Sequence, residues 1–127
     1  MSKTELKAIV DLLKNYKTDN ARLQILKIEL TEEDQVTEEV QAIKNDINAL
    51  ENKLNNIQSC LDQLHKYERE FVEEYYFNGK RYKEMQELLK NIWGYDINVD
   101  NGHAISGYAS TYKRLILVKL LNLGILE

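Results

Sequence analysis

Few side chains of this chain could do chemistry, and their spacing excludes most of the possibilities. Cys60 is the only cysteine, so no intrachain disulfide and no cysteine metal cluster can form. His65 and His103 lie far apart, and neither a zinc site nor a Cys-His nucleophile is expected. Asp96-Ile97-Asn98-Val99-Asp100 opens with the spacing of a calcium loop. Its sixth position is Asn101 rather than Gly and its twelfth is Gly107 rather than Glu, so polar turn chemistry is the better account. No Gly-rich phosphate loop, carboxylate pair or Ser/His/Asp grouping stands out, so neither enzymatic activity nor a cofactor is expected. What remains is cationic. Lys80, Arg81 and Lys83 follow the Asn78-Gly79 turn, and Tyr108, Ser110, Thr111, Lys113 and Arg114 form a second run. Hydroxyl, aromatic and basic side chains in such runs suit phosphate oxygens and base edges.

Charge restricts where such contacts can fall. The 127 residues carry a net −4. Residues 1–65 hold 8 Lys+Arg against 12 Asp+Glu, whereas residues 66–127 hold 9 of each. After Asn101 the bases are Lys113, Arg114 and Lys119, opposed only by Glu127. Any surface for a polyanion therefore belongs to the C-terminal half.

The elements that must position these residues are helical. Proline is absent, glycine occurs five times and 30% of residues are charged, which is the composition of long helices. Leu6, Ile9, Val10 and Leu13 predict a first helix over Thr4 to Tyr16. Lys17-Thr18-Asp19-Asn20 predicts a break, with Asp19 or Asn20 as the cap of a second helix through Leu30 whose stripe is Leu23, Leu26 and Leu30. Thr31 followed three residues later by Asp34 predicts a helix start.

The strongest pattern follows. Val36, Val40, Ile43, Ile47, Leu50, Leu54, Ile57, Leu61 and Leu64 alternate in spacings of four and three, an unbroken heptad. So narrow a stripe needs a partner helix, either the N-terminal helices folded back or a second copy of the chain. Both are expected: an N-terminal helical hairpin, and self-association as a homodimer through these nine positions. Cys60, on the flank of the seam, is expected to be a small packing residue.

Beyond Leu64 aromatics accumulate: Tyr67, Phe71, Tyr75 and Tyr76 on a helix closed by Gly79, where a left-handed C-cap is expected. They read as core rather than a stacking platform. Tyr82, Met85, Leu88, Leu89 and Ile92 share a face of the next helix. Gly94–Gly102 reads as a loop or a short hairpin, and a last helix runs from about Ser106 to Leu121. Phe71, Tyr75, Tyr82, Met85, Leu89, Ile105, Tyr112, Leu115 and Ile116 are the expected core. The expected fold is all-α: an N-terminal helical hairpin or coiled coil over residues 1–65 and a helix-turn-helix domain over 66–127. No run of eighteen apolar residues occurs and no signal-peptide core is present near Met1, so a cytoplasmic protein with no membrane partner is expected.

Three stretches carry a resemblance: Glu70-Phe71-Val72-Glu73-Glu74-Tyr75-Tyr76-Phe77-Asn78-Gly79, Tyr82-Lys83-Glu84-Met85 and Ser110-Thr111-Tyr112-Lys113-Arg114. Residues Tyr67 to Leu121 resemble the region-four helix-turn-helix of bacterial sigma factors. The whole layout resembles small phage and prophage regulators of the RinA/ArpU type. Gln86 and Lys90 depart from the small residue and the Gly usual in such motifs, and the turn before Ser110 is about ten residues longer than a minimal one.

The resemblance implies a phage or prophage transcription regulator in the bacterial host's cytoplasm. It would bind double-stranded DNA through Tyr108, Ser110, Thr111, Lys113 and Arg114, hold phosphate with Lys80, Arg81 and Lys83, and meet host RNA polymerase or another protein. Two other readings stay open: a small terminase-type packaging subunit, which also joins such a domain to oligomerising helices, and a protein-interaction module with a degenerate helix-turn-helix.

Overall fold

A computed structural model describes the backbone of residues 3–32, 37–93 and 102–127, and the side chains of these except 93 and 102–108. The expected 94–102 loop or hairpin lies outside these residues but for Gly102, which begins a helix. The fold is all-α: among the described residues there is no strand, and no helix is long and apolar enough to cross a membrane.

Helices α1 (Lys3–Lys14) and α2 (Tyr16–Thr31) are nearly continuous. The Asn15 N–H donates to the Asp11 carbonyl at 3.0 Å and the Asp19 N–H to that of Asn15 at 2.8 Å, so the ladder runs through the joint. The break expected at residues 17–20 is therefore absent. Asp19 does not cap; it pairs with Lys53 at 2.8 Å, a tertiary contact that overrides its local preference. Thr31 likewise ends a helix instead of starting one, its hydroxyl donating back to the Ile28 carbonyl at 2.7 Å. The cap that starts α3 (Glu38–Asp62) is Thr37, whose hydroxyl accepts from the Val40 N–H at 3.2 Å.

Helix α2 lies antiparallel along α3. Tyr16 Oη donates to Gln58 Oε1 at 3.2 Å, Asp19 pairs with Lys53, and Lys27 pairs with Glu51 at 3.1 Å, so partners descend α3 as they climb α2. The heptad seam is thus filled from within the chain: Leu23 is buried with Ile47 and Leu54, flanked by Leu26, Leu30, Ile43 and Leu50. Val40, Ile57, Leu61 and Leu64 are buried too, Ile43 and Leu50 are half-buried, and Val36 lies outside the described residues. Helix α2 also carries a second, outward stripe, in which Ile25 and Ile28 are 56% and 58% exposed.

The lower end of the α2–α3 pair enters a larger core. Ile9 and Leu13 from α1 and Ile57 and Leu61 from α3 meet Phe71, Val72, Met85, Leu89, Ile116 and Leu120. This core draws on residues from both sides of 65/66, because α1 packs against the last helix as well as against its neighbours.

Helix α4 (Lys66–Val72) starts at a reciprocal cap. His65 Nδ1 accepts from the Tyr67 N–H at 3.2 Å, and Glu68 Oε1 accepts from the His65 N–H at 2.9 Å. A π-helical turn over Glu73–Phe77 continues it and ends at Gly79, whose φ of +66° is the left-handed conformation that favours glycine. A 3₁₀ turn (Tyr82–Met85) leads into α5 (Gln86–Trp93). Helix α6 (Gly102–Asn122) starts at Gly102 rather than Ser106. It closes in a Schellman arrangement at Gly124 (φ +86°), with the Ile125 N–H donating to the Leu120 carbonyl at 3.1 Å.

One expected core residue is placed wrongly by the sequence reading. Leu115 is 55% exposed, because α6 turns Ala109, Ile116, Leu117 and Leu120 inward. Tyr75, Tyr82 and Tyr112 are only partly buried, and the side chain of Ile105 lies outside the described residues.

Candidate nucleic-acid interface

The π-helical turn gathers the tyrosines. Phe71, Tyr75 and Tyr82 form a stacked column with ring centroids 5.6 Å and 5.3 Å apart and interplanar angles of 22° and 14°. Tyr76 meets Tyr75 edge-on at 5.0 Å, and Tyr112 of α6 meets Phe71 edge-on at 5.3 Å. These are preferred geometries for ring quadrupoles. Phe71 and Tyr76 are buried, as expected of core; Tyr67 and Tyr75 are half-buried.

Lys113 of α6 seats its ammonium on this column. Nζ lies 4.8 Å from the Tyr75 ring centroid and 5.7 Å from that of Tyr82, and donates to Tyr75 Oη at 3.4 Å. Burial opposes the Lys113 charge, but the hydrogen bonds and charge interactions with Tyr82 and Tyr75 outweigh it and hold its pKa above the ordinary value. Burial likewise pushes Tyr75 up, yet hydrogen bonds from Tyr82 and Lys113 bring it below its usual value. Burial raises Tyr76 and Tyr112 to about 12.

The expected contact residues now have places. Lys80 is half-buried and pairs with Glu74 at 3.0 Å. Arg81 projects outward, 79% exposed, and pairs through Nε with Glu84 at 3.0 Å. Hydrogen bonds from Arg81 hold the Glu84 carboxyl below its usual range. Lys83 is exposed at the next position but one. Ser110, Thr111 and Arg114 are exposed on α6, whereas Lys113 is turned into the tyrosines; the side chain of Tyr108 lies outside the described residues. Because Lys113 reaches the residue that follows Arg81, the 80–83 and 110–114 runs meet at this contact.

Two features escaped the sequence reading. Lys14 and Lys17, from the acidic N-terminal half, join the basic turn: Lys17 Nζ donates to Asn78 Oδ1 at 2.6 Å, and Tyr16 stacks on Phe77 at 4.5 Å. Lys14 borders an open pocket with Tyr75, Gly79, Lys80, Arg81 and Tyr82. No local spacing signals a contact so distant along the chain. The other feature is a groove of about 620 Å³ between α1, α3 and the C-terminus, where Asn56 Nδ2 ties down the tail by donating to the Gly124 carbonyl at 3.1 Å.

No family model, curated protein or solved structure matches the chain.

Proposed function

We propose that this chain binds duplex DNA as a transcription regulator of the phage or prophage type. The observation that carries the proposal is the seat of Lys113 on Tyr75 and Tyr82. It joins α6, on which Ser110, Thr111 and Arg114 are exposed, to the tyrosine that follows Lys80 and Arg81 and precedes Lys83. Exposed hydroxyls and a guanidinium on one helix, next to cations on a turn, suit base edges and backbone phosphates together. Helix α6 is then the reading element and the basic turn the phosphate clamp.

The test is fluorescence anisotropy on promoter fragments of the source genome across a salt series. Specific binding should weaken as salt rises, with a log–log slope of about −0.9 per phosphate neutralised. Removing Arg114 and Lys83 together (Arg114→Ala, Lys83→Ala) should flatten that slope and lower affinity at least tenfold. Unchanged affinity and slope in the double variant would sink the assignment.

A second reading draws on exposed apolar groups. Leu115 stands outward beside Arg114, and Ile25 and Ile28 stand outward on α2. These suit protein contacts: host RNA polymerase or another protein at Leu115, and a second copy of the chain along the α2 stripe. A homodimer built on Ile25 and Ile28 would leave the heptad of α3 to its intrachain partner. Rings of many subunits in native mass spectrometry would instead support a packaging subunit.

A further inference from the structure

The open pocket beneath the basic turn has a volume of about 370 Å³ and is lined by Lys14, Tyr75, Gly79, Lys80, Arg81 and Tyr82. Three cations and two tyrosines line it, and they come from two segments far apart in sequence, α1 and residues 75–82. A Cβ built on Gly79 would meet nothing within 4 Å, so the space above that backbone is open.

Two carboxylates stand beside the cations, and neither saturates its partner. Glu74 Oε1 takes one of the three Lys80 ammonium protons, and Glu84 takes the Nε–H of Arg81, leaving the terminal amines of the guanidinium outside that pair. Lys14 is exposed and has no ion-pair partner among the described residues. Lys113 adds a fixed positive charge behind the tyrosines.

We propose that this pocket is a phosphate site, in which Lys14, Lys80 and Arg81 surround one phosphate group and the Tyr75 hydroxyl supplies a further donor. Three cationic side chains from two segments far apart along the chain match the several oxygens of a tetrahedral phosphate better than the two of a planar carboxylate. The phosphate is either a free phosphate ester or a backbone phosphate of duplex DNA; the second source rests on the DNA-binding reading. Under either source α1 becomes part of the binding surface, although its half of the chain is acidic overall.

The experiment uses the full chain in two arms. In the first, amide shifts are followed in ¹H–¹⁵N spectra during titration with inorganic phosphate, chloride serving as the matched-ionic-strength control. In the second, a short duplex is titrated by anisotropy. Lys14→Gln and Arg81→Gln remove pocket cations at exposed positions, and Lys7→Gln removes an equal charge elsewhere on α1. The far-UV spectrum and melting temperature confirm that each variant folds.

Phosphate shifts confined to Lys14 and Gly79–Tyr82, weakened at least fivefold by Lys14→Gln and unaffected by Lys7→Gln, are expected. If the source is the duplex, Lys14→Gln also flattens its salt slope by about 0.9. Phosphate binding without duplex binding keeps the pocket, assigns it to a free phosphate ester and removes the DNA reading. Duplex binding in which Lys14→Gln and Lys7→Gln behave alike, with phosphate shifts scattered over surface lysines, overturns the pocket and leaves the DNA reading standing. Binding in neither arm overturns both.

Discussion

Lys119 Nζ of α6 lies 2.6 Å from Oε2 of Glu68, whose side chain is only 7% exposed. The other oxygen of that carboxylate accepts the His65 N–H at 2.9 Å, so one side chain both caps α4 and anchors α6. Lys119→Met should leave a buried carboxylate with its cap bond but without its counter-charge. We expect a loss of about 1–3 kcal/mol, because the lysine end of the pair is half-exposed and the pair is only partly desolvated. Urea unfolding followed by circular dichroism should show a lower midpoint at unchanged slope. An unaltered midpoint would mean that the pair is incidental to the packing of α6.

Alkaline pH should unfold the protein through its tyrosines. The Tyr76 and Tyr112 pKa values are raised to about 12, so the folded state favours their neutral forms. That stability is fully present below the unfolded value of about 10 and is lost as pH rises through the folded value. For buried Tyr76 the loss approaches roughly 2–3 kcal/mol near pH 12. Tyr76→Phe should therefore show a shallower fall in stability between about pH 10 and 12 than the parent chain. Denaturant midpoints measured across that window decide it, and parallel curves for the two proteins would refute the assignment.

Because α2 fills the heptad seam, Leu54→Asn should destabilise the monomer itself. Leu54 is 6% exposed, and replacing it with a polar side chain that lacks a partner should cost about 2–5 kcal/mol. The melting temperature should drop by the same amount at low and high protein concentration. Charge on the outward stripe, Ile25→Glu with Ile28→Glu, should leave stability within about 0.5 kcal/mol and abolish self-association. Light scattering over a concentration series separates the two; a dimer that survives the double variant would place the contact elsewhere.

Lys113 and Arg114 should fail differently. Arg114→Ala removes an exposed cation, so duplex affinity and salt slope should fall together. Lys113→Met removes the ammonium seated on Tyr75 and Tyr82, so affinity should fall through displacement of α6 while the slope stays near that of the parent. Stability should drop by about 1 kcal/mol for the lost cation–π contact. A slope change for Lys113→Met as large as that for Arg114→Ala would mean that Lys113 leaves the rings to meet phosphate.

Local chemistry on the page of the sequence already determined a good deal. The heptad from Val40 to Leu64 required a long helix with a covered seam, since an apolar stripe of that period cannot stand in water. Gly79 marked a left-handed turn because it lacks a Cβ, and the absence of proline allowed helices nearly end to end. The cationic runs at 80–83 and 110–114 were visible as residue types. Tertiary structure decided the rest. It packed Leu23 and its neighbours into the seam, turned Asp19 and Thr31 from helix-start signals into an ion pair and a back-bonded hydroxyl, and rotated Leu115 outward. Above all it drew Lys14 to Gly79 and Lys113 to Tyr75. The physical reason is the same in each case. Helical period and turn chemistry act over a few residues, whereas which face meets which is settled by burial and charge between segments far apart along the chain.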